Sequence, residues 1–205
     1  MIKMIKNVVI SGVGGQGLIT LGRVVGEALL QKGLNVVVSE VHGLAQRGGS
    51  VVIYLRYGDE KVISPIIPEG YGDLEIALEL IEALRYSRLL SGNGVIVSND
   101  LVLPPPGIKN VPSRETIIKA LRKMGVTFYL VDASSLALEA GSPMSSNIVM
   151  AGFACGMGLL PLSLEELEVG IRKVLRKDLW DINVKALEVG YREGQRAARI
   201  KEENI

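Results

Sequence analysis

The side chains best suited to chemistry in this chain fall in two clusters. The first is a Gly12-x-Gly14-x-x-Gly17 turn that also contains Gly15 and Gln16. It follows the β-branched run Val8, Val9, Ile10 and opens an amphipathic segment. Glycines at such a turn allow close backbone approach, and free N–H groups at a helix N-terminus attract a phosphate. The second cluster is Glu40, His42, Gln46, Arg47, Gly48, Gly49 and Ser50. Here an acid, the chain's only histidine, an amide and an arginine stand beside glycines in one polar loop. Arg47 suits a carboxylate or phosphate clamp, and the glycines after it let backbone N–H groups reach the same anion. His42 can hydrogen-bond a ligand. Each residue also has a plainer role: the glycines in helix–strand packing, His42 in a structural hydrogen bond, Arg47 in an ion pair. Glu40 stands near where a dinucleotide site carries its ribose-binding acid, so a nucleotide-binding dehydrogenase or a nucleotide-sensing module remains an alternative.

These clusters need a scaffold, and the hydrophobic pattern describes one. Residues 7–11 read as a buried strand and 16–32 as a helix, with Leu18, Leu21, Val25, Ala28 and Leu29 on one face. Gly33 closes that helix, and a second strand spans 35–40. This unit implies a parallel pair with a right-handed crossover. Further strands are expected at 50–57, 73–78, 94–98 and 127–131, with a possible antiparallel return at Val62-Ile63. Residues 64–70 are loop-like because Pro65 and Pro68 interrupt them, and Pro104, Pro105 and Pro106 mark a rigid surface loop. Helices are expected at 79–90, 113–124, 133–140, 147–159, 163–176 and 181–200. Ser163 with Glu166 makes a capping box, and Asn147 reads as a helix cap. The fold class expected is α/β: a Rossmann-like, mostly parallel sheet with helices on both faces and a helical C-terminal part. No linker or internal repeat divides residues 1–205, so one domain is expected.

Composition removes several function classes. Lys plus Arg number 23 and Asp plus Glu 22, so the net charge is +1; nothing invites nucleic acid or an anionic membrane. The single cysteine, Cys155, cannot form an internal disulfide or ligate an iron–sulfur cluster, which needs several thiolates. It sits among small apolar residues and reads as an inert core thiol. With one histidine no Ser-His-Asp arrangement is available, the other acids show no paired acid–base spacing, and metal-ligand spacing is absent. The longest apolar run, 148–162, is shorter than the roughly 18 residues of a membrane span and is broken by glycines and Pro161. It suits a packed or interfacial helix. No signal peptide is visible, and a cytoplasmic location is expected.

Longer motifs carry a family resemblance. The turn GVGGQG at 12–17, SEVHGLAQRGGSVV at 39–52 and SPIIPEGYGD at 64–73 together resemble the gamma-type domain of the 2-oxoacid:ferredoxin oxidoreductases, and EVHGLAQRGG resembles their indolepyruvate branch. ELIEALRY at 79–86, Val131-Asp132-Ala133 and NIVMAGFACG at 147–156 agree with it. Leu80 stands where members often carry proline, and Met144-Ser145 replaces a stretch that commonly holds a charge. The resemblance implies a small subunit supporting coenzyme A-dependent oxidative decarboxylation of aryl 2-oxoacids with reduction of ferredoxin. A gamma subunit of a pyruvate or branched-chain 2-oxoacid enzyme is the alternative within the family. It further implies that this chain alone binds no cofactor. Thiamine diphosphate and iron–sulfur clusters would belong to a large catalytic partner, with coenzyme A as co-substrate. The absence of a Gly-Asp-Gly diphosphate motif and of a cysteine cluster agrees with that division of labour. Separately, the anion-friendly loops at 12–17 and 46–50 lead us to expect that this chain contributes to coenzyme A binding.

Overall fold

In the computed structural model, residues 5–42, 48–104 and 110–203 are described. Gln46, Arg47, the side chain of His42 and most of the three-proline loop lie outside the described residues.

Among the described residues, six strands form one sheet: β1 (Lys6–Val13), β2 (Asn35–His42), β3 (Ser50–Gly58), β4 (Gly72–Ala77), β5 (Leu90–Asn99) and β6 (Thr127–Val131), in the order β2-β3-β1-β4-β5-β6. β1, β4, β5 and β6 pair in parallel. β3 pairs antiparallel with both β1 and β2. The parallel β1–β2 pair expected of a strand–helix–strand unit therefore does not form, because β3 lies between them. The reason is burial. Val51, Ile53 and Leu55 point to one face of β3 and Val52 to the other, and all are buried. A strand apolar on both faces needs an interior position. β2 leaves Val38 and Val41 exposed and takes the edge. The return strand expected at Val62-Ile63 also does not form. Residues 61–68 carry no strand pairing, and Pro65 and Pro68 have no N–H to donate to a ladder. Instead the segment is tied to β3: Arg56 Nη1 donates to the Ser64 carbonyl at 2.7 Å and the Ile66 carbonyl at 3.2 Å. Ile67 is buried against Val9 and Val52.

Among the described residues, seven α-helices accompany the sheet: α1 (Leu18–Gln31), α2 (Leu80–Tyr86), α3 (Arg114–Lys123), α4 (Ala133–Glu139), α5 (Ser146–Gly156), α6 (Leu164–Val174) and α7 (Trp180–Glu203). Their ends follow the sequence closely. Gly33, at φ 87°, closes α1 with bonds from Gly33 N–H to Leu30 and from Leu34 N–H to Leu29. Ser113 caps α3 by accepting from Thr116 N–H, and both halves of the Ser163–Glu166 capping box are present on α6. α1, α5 and α6 cover one sheet face with Val8, Ile10, Ile53, Leu55 and Ile76 beneath them. α2 and α3 cover the other over Ala77 and Ile96. Among the described residues, no helix is long and apolar enough to cross a membrane.

Of the two readings of the apolar run at 148–162, packed or interfacial, the structure bears out the packed one for α5. α5 lies directly on α7, and every residue from 147 to 155 is buried. Gly152 and Gly156 on α5 face the α7 backbone, and Gly190 and Gly194 on α7 face the α5 backbone, so closely that a Cβ at any of them would run into a carbonyl of the other helix. Cys155 Sγ donates to the Leu162 carbonyl at 2.9 Å, and burial pushes its thiol up to about 11. It stays a neutral core thiol.

Candidate functional site

The glycine turn is built at the carboxyl end of β1, where the parallel strands deliver their ligand-facing loops. Gly17 is the N-cap of α1 with φ 77°, a left-handed conformation that favours glycine, and it offers no side-chain cap. A Cβ there would stand 2.5 Å from Asn147 Nδ2. The Leu18, Ile19 and Thr20 N–H groups lie in the first helical turn, where no intrahelical acceptor exists. No acid occupies that turn. The helix dipole and these donors together suit a phosphate.

The rest of the turn is held by internal bonds. Gln16 accepts from Val13 N–H at 2.7 Å through Oε1 and donates to the Leu78 carbonyl at 3.0 Å through Nε2. Its amide is a strut between β1 and the end of β4. Gly12 packs under it: a Cβ there would meet Gln16 Oε1 at 2.7 Å and Leu78 Cβ at 3.1 Å. Gly14 N–H donates to the Gly49 carbonyl at 2.8 Å, and Gly48 N–H donates to the Gly14 carbonyl at 3.3 Å. The two sequence clusters therefore meet backbone to backbone. Ser50 turns to the other face of the sheet, where its hydroxyl bonds to Glu82 and approaches Tyr86.

Two clefts flank the N-terminus of α1. One, of about 440 Å³, is lined by Gly14, Gly15, Gly17, Thr20, Glu40 and Val51. Glu40 thus shares this cleft with the glycine turn. The other, of about 380 Å³, shares Gly15, Gly17 and Thr20 and continues past Ser142, Met144, Asn147 and Ile182. An elongated ligand with an anionic centre at the helix terminus would have room on either side.

Several residues here were not singled out by motif reading. Thr20 and Val51 look like ordinary helix and strand positions, and only the fold places them on the cleft wall. Asn147 is not the cap expected from the sequence: α5 starts at Ser146 with Ser145 at its N-cap, and Asn147 lies inside the first turn. Its Oδ1 accepts from Ile148 N–H at 2.9 Å, while its Nδ2 donates to the Gly17 carbonyl at 3.0 Å and so ties α5 to the turn.

A pair of buried acids was also missed, because the two residues come from different elements. Glu75 on β4 and Glu82 on α2 are both buried and interact electrostatically. Their only sequence signal is charge within the apolar run at 74–83. Ser11 Oγ donates to Glu75 Oε1 at 2.6 Å, and Glu75 Oε2 has no hydrogen-bond partner among the described residues. Burial, against the Ser11 bond and with Glu82 adding to it, holds the Glu75 carboxyl well above its ordinary value of 4.5. The folded chain therefore keeps a proton that the unfolded chain releases, and stability falls as pH rises above about 4.5. Glu75→Gln, neutral at every pH, is expected to remove this part of the decline. In urea unfolding, the stability difference between variant and wild type should move in the variant's favour from about pH 5 to about pH 9. A difference that does not change with pH would show that Glu75 is ionised in the folded protein.

Comparison with known proteins locates this architecture. Residues 7–193 match the model of the pyruvate ferredoxin/flavodoxin oxidoreductase family. The chain belongs to that family. It is 42% identical over 189 residues to an indolepyruvate oxidoreductase subunit IorB of Archaeoglobus fulgidus, an alignment covering 90% of this chain and 93% of the relative. Among solved structures, the gamma subunit of a keto/oxoacid ferredoxin oxidoreductase from Geobacter sulfurreducens superimposes with a TM-score of 0.71 at 22% identity, covering 93% of this chain and 99% of that one. A 2-oxoglutarate:ferredoxin oxidoreductase from Magnetococcus marinus, solved with 2-oxoglutarate, coenzyme A and succinyl-CoA, superimposes at 0.69 with 18% identity, covering 96% of this chain but 31% of that one. At these identities the two structures show the shared fold. The gamma-type resemblance read from the motifs agrees with all three, and so does the α/β class with its helical C-terminal part.

Proposed function

We propose that this chain is the small subunit of an indolepyruvate:ferredoxin oxidoreductase, a cytoplasmic enzyme oxidising aryl 2-oxoacids to acyl-coenzyme A with reduction of ferredoxin. The observation that carries the proposal is the 42% identity to an indolepyruvate oxidoreductase subunit over nearly the full length of both chains. The thiamine diphosphate and iron–sulfur chemistry then belongs to a large partner subunit. One cysteine cannot hold a cluster. This chain's part is to receive an anion. The Leu18, Ile19 and Thr20 N–H groups at the N-terminus of α1 donate to a phosphate of coenzyme A, and the two adjoining clefts take the groups on either side. Gly12, Gln16, Gly48, Gly49 and Ser50 shape this receiver, and Glu40 stands on its wall. His42, Gln46 and Arg47, from the same loop, are proposed to contact the ligand. The occurrence of coenzyme A in the 2-oxoglutarate enzyme of the same fold supports this reading.

Co-expression with the large subunit tests it. The complex should oxidise indolepyruvate and phenylpyruvate faster than pyruvate when coenzyme A and ferredoxin are supplied, and the small chain alone should be inactive. Tight binding of NAD by the isolated chain, with no effect of the chain on the partner's activity, would overturn the proposal in favour of a stand-alone nucleotide-binding protein.

A further inference from the structure

We propose that Glu82, acting through Ser50, is a positioning residue for the cleft at the glycine turn: it holds the entry of β3 against Gly14 and so fixes the wall on which the anionic ligand is received. The proposal rests on the coenzyme A reading of that cleft.

The geometry runs through one serine. Ser50 opens β3, and its backbone is paired with Val13. The residues before it, Gly48 and Gly49, both bond to Gly14. The next residue, Val51, faces the cleft with Gly14, Gly15, Gly17 and Glu40. Gly48 and Gly49 carry no side chains to lock, and glycine is the residue with most conformational freedom to lose. The first side chain that can anchor this stretch is Ser50, and it is anchored from behind the sheet. Its hydroxyl has one proton, which it donates to Glu82 Oε2. The Tyr86 hydroxyl, 3.0 Å from Ser50 Oγ, is therefore the donor in that second bond. Arg85 Nε completes the arrangement with bonds of 3.0 and 3.1 Å to the two Glu82 oxygens. Three residues of α2 thus converge on the side of Ser50 that points away from the ligand.

Capping of α2 does not account for Glu82. The N-terminus of α2 is already capped by Glu79, which accepts from Ile81 and Glu82 N–H. Burying an ion pair is a weak source of net stability compared with apolar residues of similar size, while a buried hydrogen-bonded acid does fix position. Glu82 also lies next to Glu75, whose Ser11 partner immediately precedes Gly12. Glu75 thus holds β1 through Ser11, and Glu82 holds the start of β3 through Ser50. Releasing Ser50 leaves the wall on backbone bonds alone, and a ligand must then order it on binding.

The test uses the complex assembled with the large subunit, coenzyme A titrated by calorimetry, and steady-state kinetics. Ser50→Ala is expected to weaken coenzyme A binding about tenfold, the size of one lost charge-assisted hydrogen bond. KM for coenzyme A should rise in step while kcat at saturation holds. Ser50→Thr, which keeps the hydroxyl, should restore affinity. Glu82→Gln should weaken binding in the same direction, and the Ser50→Ala/Glu82→Gln double variant should be no worse than Ser50→Ala, since both remove the same link. A Ser50→Ala complex that loses thermal stability but binds coenzyme A as wild type does would overturn the positioning role, as would additive effects of the two substitutions. The Thr20→Glu variant separates the layers. If it weakens coenzyme A binding while Ser50→Ala does not, positioning alone fails. If it leaves binding unchanged, the coenzyme A reading fails and the positioning role with it.

Discussion

Gly190→Val is expected to cost at least about 4 kcal/mol of stability, because the collision is between backbones and neither helix has a rotamer to change. A Cβ at Gly190 would strike the Val149 carbonyl, carbonyl carbon and Cα together. α5 cannot retreat, since Val149 and Phe153 are buried in the main core beneath it. α7 cannot retreat either without exposing Ala186 and Leu187, which are fully buried in the same core. For a chain of this size such a loss corresponds to a fall in Tm of about 8–16 °C. Gly92→Ala is the control. Gly92 has open space around its missing Cβ and no positive φ, so its Tm should be unchanged. A Gly190→Val protein melting with wild type would show that α5 and α7 are not packed at backbone contact.

The second large effect is on binding, with the opposite sign for stability. Thr20→Glu should weaken coenzyme A binding to the assembled complex by about 10–100-fold without destabilising the chain. Thr20 is the third residue of α1 and lines both clefts. A carboxylate in a first helical turn is favourable by about 0.3–1 kcal/mol through the helix dipole, and it can reach back to the N-cap N–H. The variant therefore fills the anion site with its own charge. Two like charges about 4–6 Å apart repel by about 3–4 kcal/mol at an effective dielectric constant near 20, before salt screening. Thr20→Val carries no charge and should bind coenzyme A as wild type does. Calorimetry on the three complexes, together with their melting temperatures, measures both signs. Unchanged affinity in Thr20→Glu would move the coenzyme A site away from α1.

What could be read from the sequence is what depends on neighbours along the chain. Helix faces, the caps at Gly33, Ser113 and Ser163, and the strands at 72–77 and 127–131 follow from periodicity and from residues a few positions apart. The approach of Gly48 and Gly49 to the Gly12–Gly17 turn was also legible, because β1 and β2 run in the same direction and the chain leaves both at the same end of the sheet. Pairings between distant residues were not. The insertion of β3 between β1 and β2 depends on which strand must bury both faces, a competition decided across the whole sheet. Whether the run at 148–160 packs within the chain or at an interface is undecided until α7, some 35 residues on, is laid against its glycines. Glu75 and Glu82 read as unrelated acids until β4 and α2 bring them within electrostatic reach of each other. Local patterns set the elements and the chemistry of the loops. Only tertiary packing, through long-range burial that no spacing encodes, decided which side chains hold those loops in place.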